Sequence, residues 1–395
     1  MDNQNTFSPV VTKGLKSLER VEIPQNAQIV VVGAGAFGGW ASLFLQRAGY
    51  RVTLIDQWGA GNSHSSSGGE TRLIRCIYGL NKFYTSLANR SYDLWQENEK
   101  IFGQQYLFTT GCLWLIDQNS DDLIEKALPV ISGQGLEYVR YEPNEAYELY
   151  PLLNVDNLSH VILEKKTGYL LARESCEAVK NQFIVEGGNY IQGAVSIEKI
   201  KGELNEISLD GGRSVSGDCF VFACGPWLKE MFGDVLESKL KITRQEVFYF
   251  GLPTNNSGTF ESFPSWIYHS PPDFYYGIPS GVRRGFKIAF DRRGEEIDSP
   301  STLNRTATKN EVERARQYIG KRFNGLHGMP LIESRVCQYS DTSDGNFIFD
   351  RHPAGSNVWL LGGGSGHGFK HGPALGELLT NVFTGKVPVV EMLKI

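Results

Sequence analysis

The chain has 395 residues, a formal net charge of −5 from 39 Lys and Arg against 44 Asp and Glu, and 41% hydrophobic residues. This length exceeds one ordinary core, so we expect two domains or one large domain with an inserted lobe. The mildly acidic balance excludes the electrostatic signature of proteins that bind nucleic acid or anionic membranes, and the hydrophobic content argues against disorder. The 44 glycines and 12% aromatic residues suggest backbone that approaches a ligand closely and apolar surfaces that line its pocket.

The cysteine pattern and the amino-terminal segment indicate in which cellular compartment the protein is expected. The six cysteines are scattered, without a C-x-x-C pair, at Cys76, Cys112, Cys176, Cys219, Cys224 and Cys337. This pattern predicts neither a metal site nor a disulfide scaffold. The first 26 residues lack the apolar core of a signal peptide, and no apolar stretch reaches the roughly 18 residues of a membrane-spanning helix. We therefore expect a cytoplasmic protein without membrane contact.

Residues 1–27 form an amino-terminal extension before the first predicted strand. Val11, Leu15, Leu18 and Val21 recur at helix-like spacing within it. This spacing is typical of an arm that packs either on its own chain, which we favour, or on a second subunit.

The segment after the extension predicts a βαβ unit. Residues 28–32 form a short continuous apolar run of the kind found in buried parallel strands. A glycine-rich turn over residues 33–38 follows, then a helical stretch that ends at Gly49. A second strand over residues 51–55 leads into Asp56.

The rest of the chain alternates between two kinds of segment. Residues 173–200 read as a helix and then an extended segment, and apolar strands at 219–224 and 358–361 end in glycine-rich turns. Short alternating strands rich in Tyr and Phe predict a mixed or antiparallel sheet. We expect an α/β (α+β) fold with a Rossmann-like nucleotide-binding domain built from residues 28–106, 171–240 and 337–395, and a substrate-binding domain built from residues 107–170 and 241–336.

The first glycine turn has the spacing of a dinucleotide site. Gly33 permits the tight turn, Gly35 lets backbone approach a pyrophosphate, and Gly38 lets the helix pack on the sheet. Asp56 stands where a carboxylate accepts the hydroxyls of an adenosine ribose, which favours FAD or NAD over NADP. The alternative is a glycine turn that only packs.

The loop after Asp56 ends in two arginines. On a helical turn, Arg72 and Arg75 would share one face. Their guanidinium groups match the two oxygens of a carboxylate. From spacing alone, a carboxylate site and a solvated pair of surface cations remain equal alternatives.

Several longer stretches resemble amine-oxidising flavoproteins of the D-amino-acid oxidase superfamily, specifically the monomeric sarcosine oxidase and N-methyltryptophan oxidase group. The matching stretches are GAGAFGGWASLFLQRAGYRVTLID, GGETRLIRCIYG, FACGPW, FYYGIPSGVRRGFKIAFD, SRVCQYSDTSDGNFIFD and LLGGGSGHGFKHGPALGELL. They occur in the family's order and cover nearly the whole chain from about residue 28. The resemblance implies FAD rather than NAD.

The resemblance assigns roles around the flavin. Cys337 matches the cysteine that attaches covalently to the flavin, and Lys287 matches the lysine that promotes reaction of the reduced flavin with oxygen. Arg72 matches the arginine that lies against the flavin ring. Read without the resemblance, Cys337 is one more buried thiol and Lys287 a lysine extending from a strand.

The same resemblance places further residues at the cofactor and the substrate. Arg75 and Lys370 match the pair that binds the substrate carboxylate, and Tyr276 and Tyr339 match pocket tyrosines. The other residues placed at the cofactor are Gly69, Thr71, Gly364, Gly366, His367 and Gly368, with Lys370 also beside it. Gly366, His367 and Gly368 are expected to open the carboxy-terminal helix, whose dipole would stabilise negative charge on the reduced flavin. His367 is expected to serve the turn.

Some positions depart from the sarcosine oxidase pattern. Ser67 and Gly68 replace a histidine pair, Glu70 replaces an aspartate, and Asp291 replaces a histidine. A pocket with Gly68 and Asp291 in place of two imidazoles differs in size and charge, which argues against sarcosine itself as the substrate.

Together these observations predict an FAD-dependent amine oxidase. It would oxidise the C–N bond of a secondary or N-substituted amino acid to an imine and reduce O2 to H2O2, most simply as a monomer. The alternatives are an amadoriase-like oxidase, a cyclic-imino-acid oxidase, a biosynthetic flavin dehydrogenase that avoids oxygen, and an inert flavin-bearing subunit.

Overall fold

A computed structural model of the chain describes residues 20–254, 257–271, 273–279 and 284–395. Its strands are β1 (Gln28–Val32), β2 (Arg51–Asp56), β3 (Thr71–Ile74), β4 (Leu107–Phe108), β5 (Cys112–Asp117), β6 (Tyr138–Tyr141), β7 (Leu158–Glu164), β8 (Gly168–Leu171), β9 (Asn189–Gln192), β10 (Val195–Ser196), β11 (Glu206–Leu209), β12 (Arg213–Ser216), β13 (Cys219–Phe222), β14 (Leu240–Phe250), β15 (Ser265–Ser270), β16 (Asp273–Ile278), β17 (Phe286–Phe290), β18 (Leu331–Thr342), β19 (Ile348–Arg351) and β20 (Val358–Gly362). Its α-helices are α1 (Ala36–Arg47), α2 (Lys82–Phe102), α3 (Leu123–Ser132), α4 (Pro143–Leu149), α5 (Ala172–Val185), α6 (Leu228–Met231), α7 (Gly233–Leu236), α8 (Ser257–Glu261), α9 (Lys309–Arg322) and α10 (Gly372–Phe383).

The predicted βαβ unit supplies two neighbouring strands, β1 and β2, of a six-stranded sheet. The strand order is β19-β20-β13-β1-β2-β9, parallel except for the edge pair β19–β20. Ile29 and Val31 pack in one apolar cluster with Leu43 of α1, whereas Val30 and Val32 pack in a second cluster on the other face. Both faces are therefore buried, which explains why β1 is a continuous apolar run.

The predicted β-rich lobe contains an eight-stranded mixed sheet. Its order is β18-β14-β17-β16-β15-β5-β7-β6, antiparallel except for the parallel pair β5–β15. Its core contains aromatic rings such as Trp266, Phe286 and Phe323. The α/β (α+β) fold class is confirmed. The proposed domain boundaries remain a prediction, and β18 runs across the boundary at residue 337.

Two local expectations are wrong. Arg72 lies in strand β3 and Arg75 just beyond it, so no helical turn brings them to a common face. The carboxy-terminal helix α10 begins at Gly372, after a single 3-10 turn over Phe369–His371. Gly366, His367 and Gly368 therefore precede this turn and do not open the helix.

The amino-terminal extension is described from residue 20 onward. Val21 is buried, and the Ile23 amide donates to the Phe383 carbonyl at 2.8 Å, so this end packs on its own chain. Val11, Leu15 and Leu18 lie outside the described residues. Among the helices of the described ranges, none combines the length and apolar character needed to cross a membrane.

Candidate active site

A cavity of about 500 Å³ is lined by residues of both large sheets and of the loops beside them. The sequence-predicted residues that line it are Gly33, Gly35, Asp56, Arg72, Arg75, Tyr276, Tyr339, Gly364, Gly366, His367, Gly368 and Lys370. The predicted residues outside its lining are Gly38, Gly69, Thr71, Lys287 and Cys337. The tertiary structure thus brings segments from the whole length of the chain to one cavity.

The glycine turn after β1 meets two different demands. Gly33 has φ +106°, and a Cβ atom there would lie 2.4 Å from the Ala223 carbonyl oxygen. A Cβ atom at Gly38 would lie 1.9 Å from the Gly33 oxygen, whereas one at Gly35 would meet only the Ser67 Oγ at 3.4 Å. Gly33 and Gly38 therefore permit tight backbone packing, and Gly35 leaves room for a phosphate at the start of α1. This cradle fits the pyrophosphate of a dinucleotide.

Asp56 is held by backbone amides at the end of β2. Its Oδ2 accepts from the Ala34 amide at 2.8 Å, and its Oδ1 accepts from the amides of Trp58 and Gly59 at 3.0 and 2.8 Å. Burial raises the pKa of Asp56, while these three N–H groups oppose the rise. The carboxylate is thus oriented in the cavity wall beside the glycine turn, where the sequence analysis places a ribose.

Cys337 lies next to Arg72, which lines the cavity. The Arg72 guanidinium donates to the backbone carbonyls of Thr71 and Ser66 at 2.8 and 2.6 Å. Its Nη2 is 3.8 Å from the Cys337 Sγ, which is itself 3.7 Å from the Ser66 oxygen. Cys337 is half-buried, in contrast to the buried Cys76 and the other buried thiols.

Lys287 is buried in strand β17, with 1% of its surface exposed. Its Nζ donates to the Thr71 carbonyl at 2.8 Å and lies 5.7 Å from the centre of the Tyr276 ring. Burial, reinforced by the charge of Arg72, lowers the pKa of Lys287 well below its usual value. The surroundings therefore favour a neutral amine until a negative charge develops nearby.

Arg75 and Lys370 meet at a residue that sequence reasoning missed. The Arg75 Cζ lies 4.5 Å and the Lys370 Nζ 5.3 Å from the centre of the Tyr78 ring. The Arg75 guanidinium donates to the Ile77 carbonyl, and the Lys370 Nζ donates to the His367 carbonyl at 2.9 Å. Burial, followed by the charge of Arg75, lowers the pKa of Lys370 well below its usual value.

Tyr78 also connects two histidines. Its hydroxyl lies 3.2 Å from the His367 Nδ1 and 2.7 Å from the His371 Nε2. The His367 Nε2 donates to the Gly345 carbonyl at 3.0 Å, and burial lowers the pKa of His367 to about 3. This neutral imidazole links the glycine-rich turn that contains it to the segments of Tyr78 and Gly345. Nothing in the spacing of the IYG sequence distinguishes Tyr78 from a core tyrosine.

The two predicted pocket tyrosines face each other across the lobe. Tyr276 in β16 and Tyr339 in β18 have hydroxyl oxygens 3.4 Å apart. A Cβ atom at Gly366 would lie 2.7 Å from the Tyr339 ring, so the glycine allows the carboxy-terminal turn to approach this ring closely. Both tyrosine rings line the cavity.

The positions that depart from the sarcosine oxidase pattern have different surroundings. Asp291 lines the cavity, whereas Gly68 does not. A Cβ atom at Gly68 would lie 2.0 Å from the Asn62 oxygen, so packing explains this glycine. Ser67 accepts from the Ala36 amide at 3.2 Å, and Glu70 pairs with Arg335 at 2.8 Å. Of these four positions, Asp291 is the one that changes the charge of the lining.

Solved structures share the fold. Amadoriase I from Aspergillus fumigatus superposes with a TM-score of 0.78 at 17% identity, covering 95% of this chain and 90% of its own. The L-proline dehydrogenase from P. horikoshii has a TM-score of 0.77 at 21% identity, covering 94% of this chain and 97% of its own.

Sequence comparison agrees with this fold and also identifies the family. Monomeric sarcosine oxidase from Bacillus sp. is 28% identical over 363 residues, which cover 91% of this chain and 92% of the relative. The N-methyl-L-tryptophan oxidase of Salmonella agona is 25% identical, covering 92% of this chain and 96% of the relative. Residues 28–382 match the DAO family, described as FAD dependent oxidoreductase. The chain belongs to the DAO family and is an FAD-dependent oxidoreductase similar to the sarcosine oxidases.

Proposed function

We propose that the chain oxidises the C–N bond of a secondary or N-substituted amino acid to an imine, with reduction of O2 to H2O2. The observation that carries this proposal is the position of Arg75 and Lys370, which both line the cavity and whose side chains lie over the same Tyr78 ring. A guanidinium and an amine that gains a proton on binding can together hold one carboxylate. When bound, FAD supplies the hydride acceptor and the electrons for oxygen.

The chain's own residues would then position the substrate. The carboxylate binds Arg75 and Lys370, and the paired hydroxyls of Tyr276 and Tyr339 face the cavity beside it. Holding the amino acid in one orientation removes much of the entropic barrier, so the reaction needs no strong base. Water hydrolyses the released imine.

Two proposals concern the cofactor. Cys337 attaches FAD covalently, which is supported by its half-buried sulfur 3.8 Å from the Nη2 of Arg72, a residue of the cavity lining. Lys287 promotes reaction with oxygen, because negative charge forming nearby would favour its protonated form. Arg72 lies against the flavin, and the glycines of both turns contact the cofactor. Oxygen as acceptor, a monomeric state and a cytoplasmic location remain predictions of the sequence.

Fructosyl amino acids and cyclic imino acids are the alternative substrate classes. The fold is shared with an amadoriase and an L-proline dehydrogenase. A panel of N-methyl amino acids, fructosyl amino acids and cyclic imino acids, mixed anaerobically with the holoenzyme, separates them by bleaching of the flavin absorbance. We expect bleaching by N-methyl amino acids and peroxide after air is admitted. Bleaching without peroxide identifies a dehydrogenase, and the absence of bleaching by every amine contradicts the proposal.

A further inference from the structure

Asp291 places a carboxylate in the lining of the cavity that also contains Arg75 and Lys370, the residues proposed to bind an anion. Its backbone amide donates to the Phe274 carbonyl at 2.9 Å, which fixes the residue directly after β17. Among the described residues, the ion pair of its side chain is with Arg293, whose Nη1 is 3.3 Å from the Asp291 Oδ1. Arg75, Lys370, Tyr276 and Tyr339 line the same cavity.

Arg293 does not neutralise Asp291 alone, because it also serves Asp341. The Arg293 Nε lies 3.0 Å from the Asp341 Oδ1, and its Nη2 donates to the Ser365 carbonyl at 3.0 Å. Its Nη1 donates to the backbone carbonyl of Asp291 at 3.1 Å. Asp341 does not line the cavity. One guanidinium thus faces two carboxylates, and the carboxylate that faces the cavity is Asp291.

The other ionisable groups that line the cavity do not fully neutralise the negative charge of Asp291. Arg75 supplies one positive charge, but the pKa of Lys370 is lowered well below its usual value by burial and by Arg75. Tyr276 and Tyr339 have raised pKa values, chiefly because of burial, and are neutral. Burial raises the pKa of Asp291, and the charges of Arg293, Arg75 and Lys370 oppose the rise while Asp341 adds to it.

The ion pair with Arg293 favours the ionised form of Asp291, which then brings a negative charge to the cavity. Such a charge repels a ligand that carries only a carboxylate. It attracts a ligand that brings a positive charge along with its carboxylate. In an α-amino acid the ammonium nitrogen is two bonds from the carboxyl carbon. A carboxylate in the same cavity lining as Arg75 and Lys370 can therefore contact the α-ammonium while this pair holds the substrate's carboxylate.

We propose that Asp291 is a specificity-determining residue that binds the substrate's ammonium group, so that the cavity accepts amino acids as zwitterions. This inference rests on the proposed function, because it assumes that Arg75 and Lys370 hold the carboxylate. It names the substrate as an amino acid whose nitrogen is cationic when it binds. This ammonium passes one proton to the Asp291 carboxylate before the neutral amine is oxidised.

The test compares two ligands of the same shape on the flavin-loaded enzyme. N,N,N-trimethylglycine carries a quaternary ammonium, and 3,3-dimethylbutanoate has carbon in place of that nitrogen. Calorimetry and the change in flavin absorbance give both Kd values. We expect the wild type to bind trimethylglycine more tightly, and Asp291→Asn to weaken it about tenfold while leaving dimethylbutanoate unchanged or tighter. Asp291→Glu should restore most of the preference.

Asp341→Asn is the matched control, because it removes the other carboxylate partner of Arg293 without changing the cavity lining. It should lower the preference for trimethylglycine less than Asp291→Asn does, because Arg293 then neutralises Asp291 more fully but the Asp291 carboxylate remains in the cavity lining. Equal weakening of both ligands in Asp291→Asn, the same loss in Asp341→Asn, or no wild-type preference overturns the inference and leaves the carboxylate pair intact. Failure of both the wild type and Asp291→Asn to bind dimethylbutanoate contradicts the carboxylate pair itself, and with it the proposed function.

Discussion

Lys287 and Thr71 are joined by a hydrogen bond of 2.8 Å from Nζ to the backbone carbonyl, although 216 positions separate them in the chain. The bond connects strand β17 of the eight-stranded sheet to strand β3. Arg72 follows Thr71 directly in β3. A buried amine is thereby held beside the proposed flavin site at a defined position. This placement supports a role for the amine at the cofactor and makes it testable.

Lys287→Met keeps an unbranched side chain of nearly the same length and removes the amine. We expect reoxidation of the reduced flavin by O2 to slow about 100-fold, because no cation can form where negative charge develops. Flavin reduction by substrate should change much less. Stopped-flow absorbance measures both half-reactions, and Lys180→Met on α5, outside the cavity lining, is the control. Equal slowing of both half-reactions would contradict the proposed role.

Cys337→Ala should release the covalent link to the flavin. The denatured wild-type protein should have the mass of the chain plus FAD, and the variant the mass of the bare chain. Cys224→Ala is the matched control, since Cys224 is the other half-buried cysteine and lines the cavity. It should keep the added mass. A wild-type mass equal to that of the chain alone refutes covalent attachment.

Arg75→Ala should raise KM for carboxylated substrates about 10- to 100-fold, since a charged hydrogen-bonded group contributes about 1.5–3 kcal/mol. The corresponding decarboxylated amines should show little change. Steady-state kinetics on matched acid and amine pairs checks this difference. If wild-type enzyme already oxidises both members of a pair equally well, Arg75 does not bind a carboxylate.

Carboxylate binding should take up a proton at Lys370. Burial and Arg75 lower the pKa of this lysine in the free protein, and a bound anion raises it again. The complex therefore holds more protons than the free enzyme, and affinity falls as pH rises through the pKa of Lys370 in the complex. Calorimetry of 3,3-dimethylbutanoate in buffers of different ionisation enthalpy measures the uptake. Unchanged uptake in Lys370→Met would assign the proton to another group.

Two alanine substitutions in the first glycine turn should have different effects, one on stability and the other on flavin content. Gly38→Ala puts a Cβ atom 1.9 Å from the Gly33 oxygen and should lower the free energy of unfolding by about 1–3 kcal/mol. Gly35→Ala meets only the Ser67 Oγ at 3.4 Å, so it should preserve stability and reduce flavin content. Urea unfolding and flavin absorbance measure the two effects. Full flavin content in Gly35→Ala would argue against a phosphate at this position.

The sequence by itself determined the βαβ unit, its glycine turn and the class of cofactor. The strand periodicity, the turn conformation and the acid at the end of β2 are local properties of residues 28–56, which by themselves predict a dinucleotide. The choice of FAD over NAD came from the family resemblance along the chain. The sequence also predicted the mixed sheet of the lobe from alternating apolar residues. The family motifs identified Arg75, Lys370 and Cys337 as candidates without showing their mutual positions.

Only the tertiary structure decided how the site is assembled. Arg75 and Lys370 share the Tyr78 ring because β3 and the carboxy-terminal turn meet there, a contact between segments almost 300 positions apart. The helical pairing of Arg72 with Arg75 failed because β3 pairs with β8 and imposes strand geometry. Likewise, only the structure shows that Asp291 pairs with Arg293 and lines the cavity. Such relations depend on sheet order and burial, which no local pattern in the chain records.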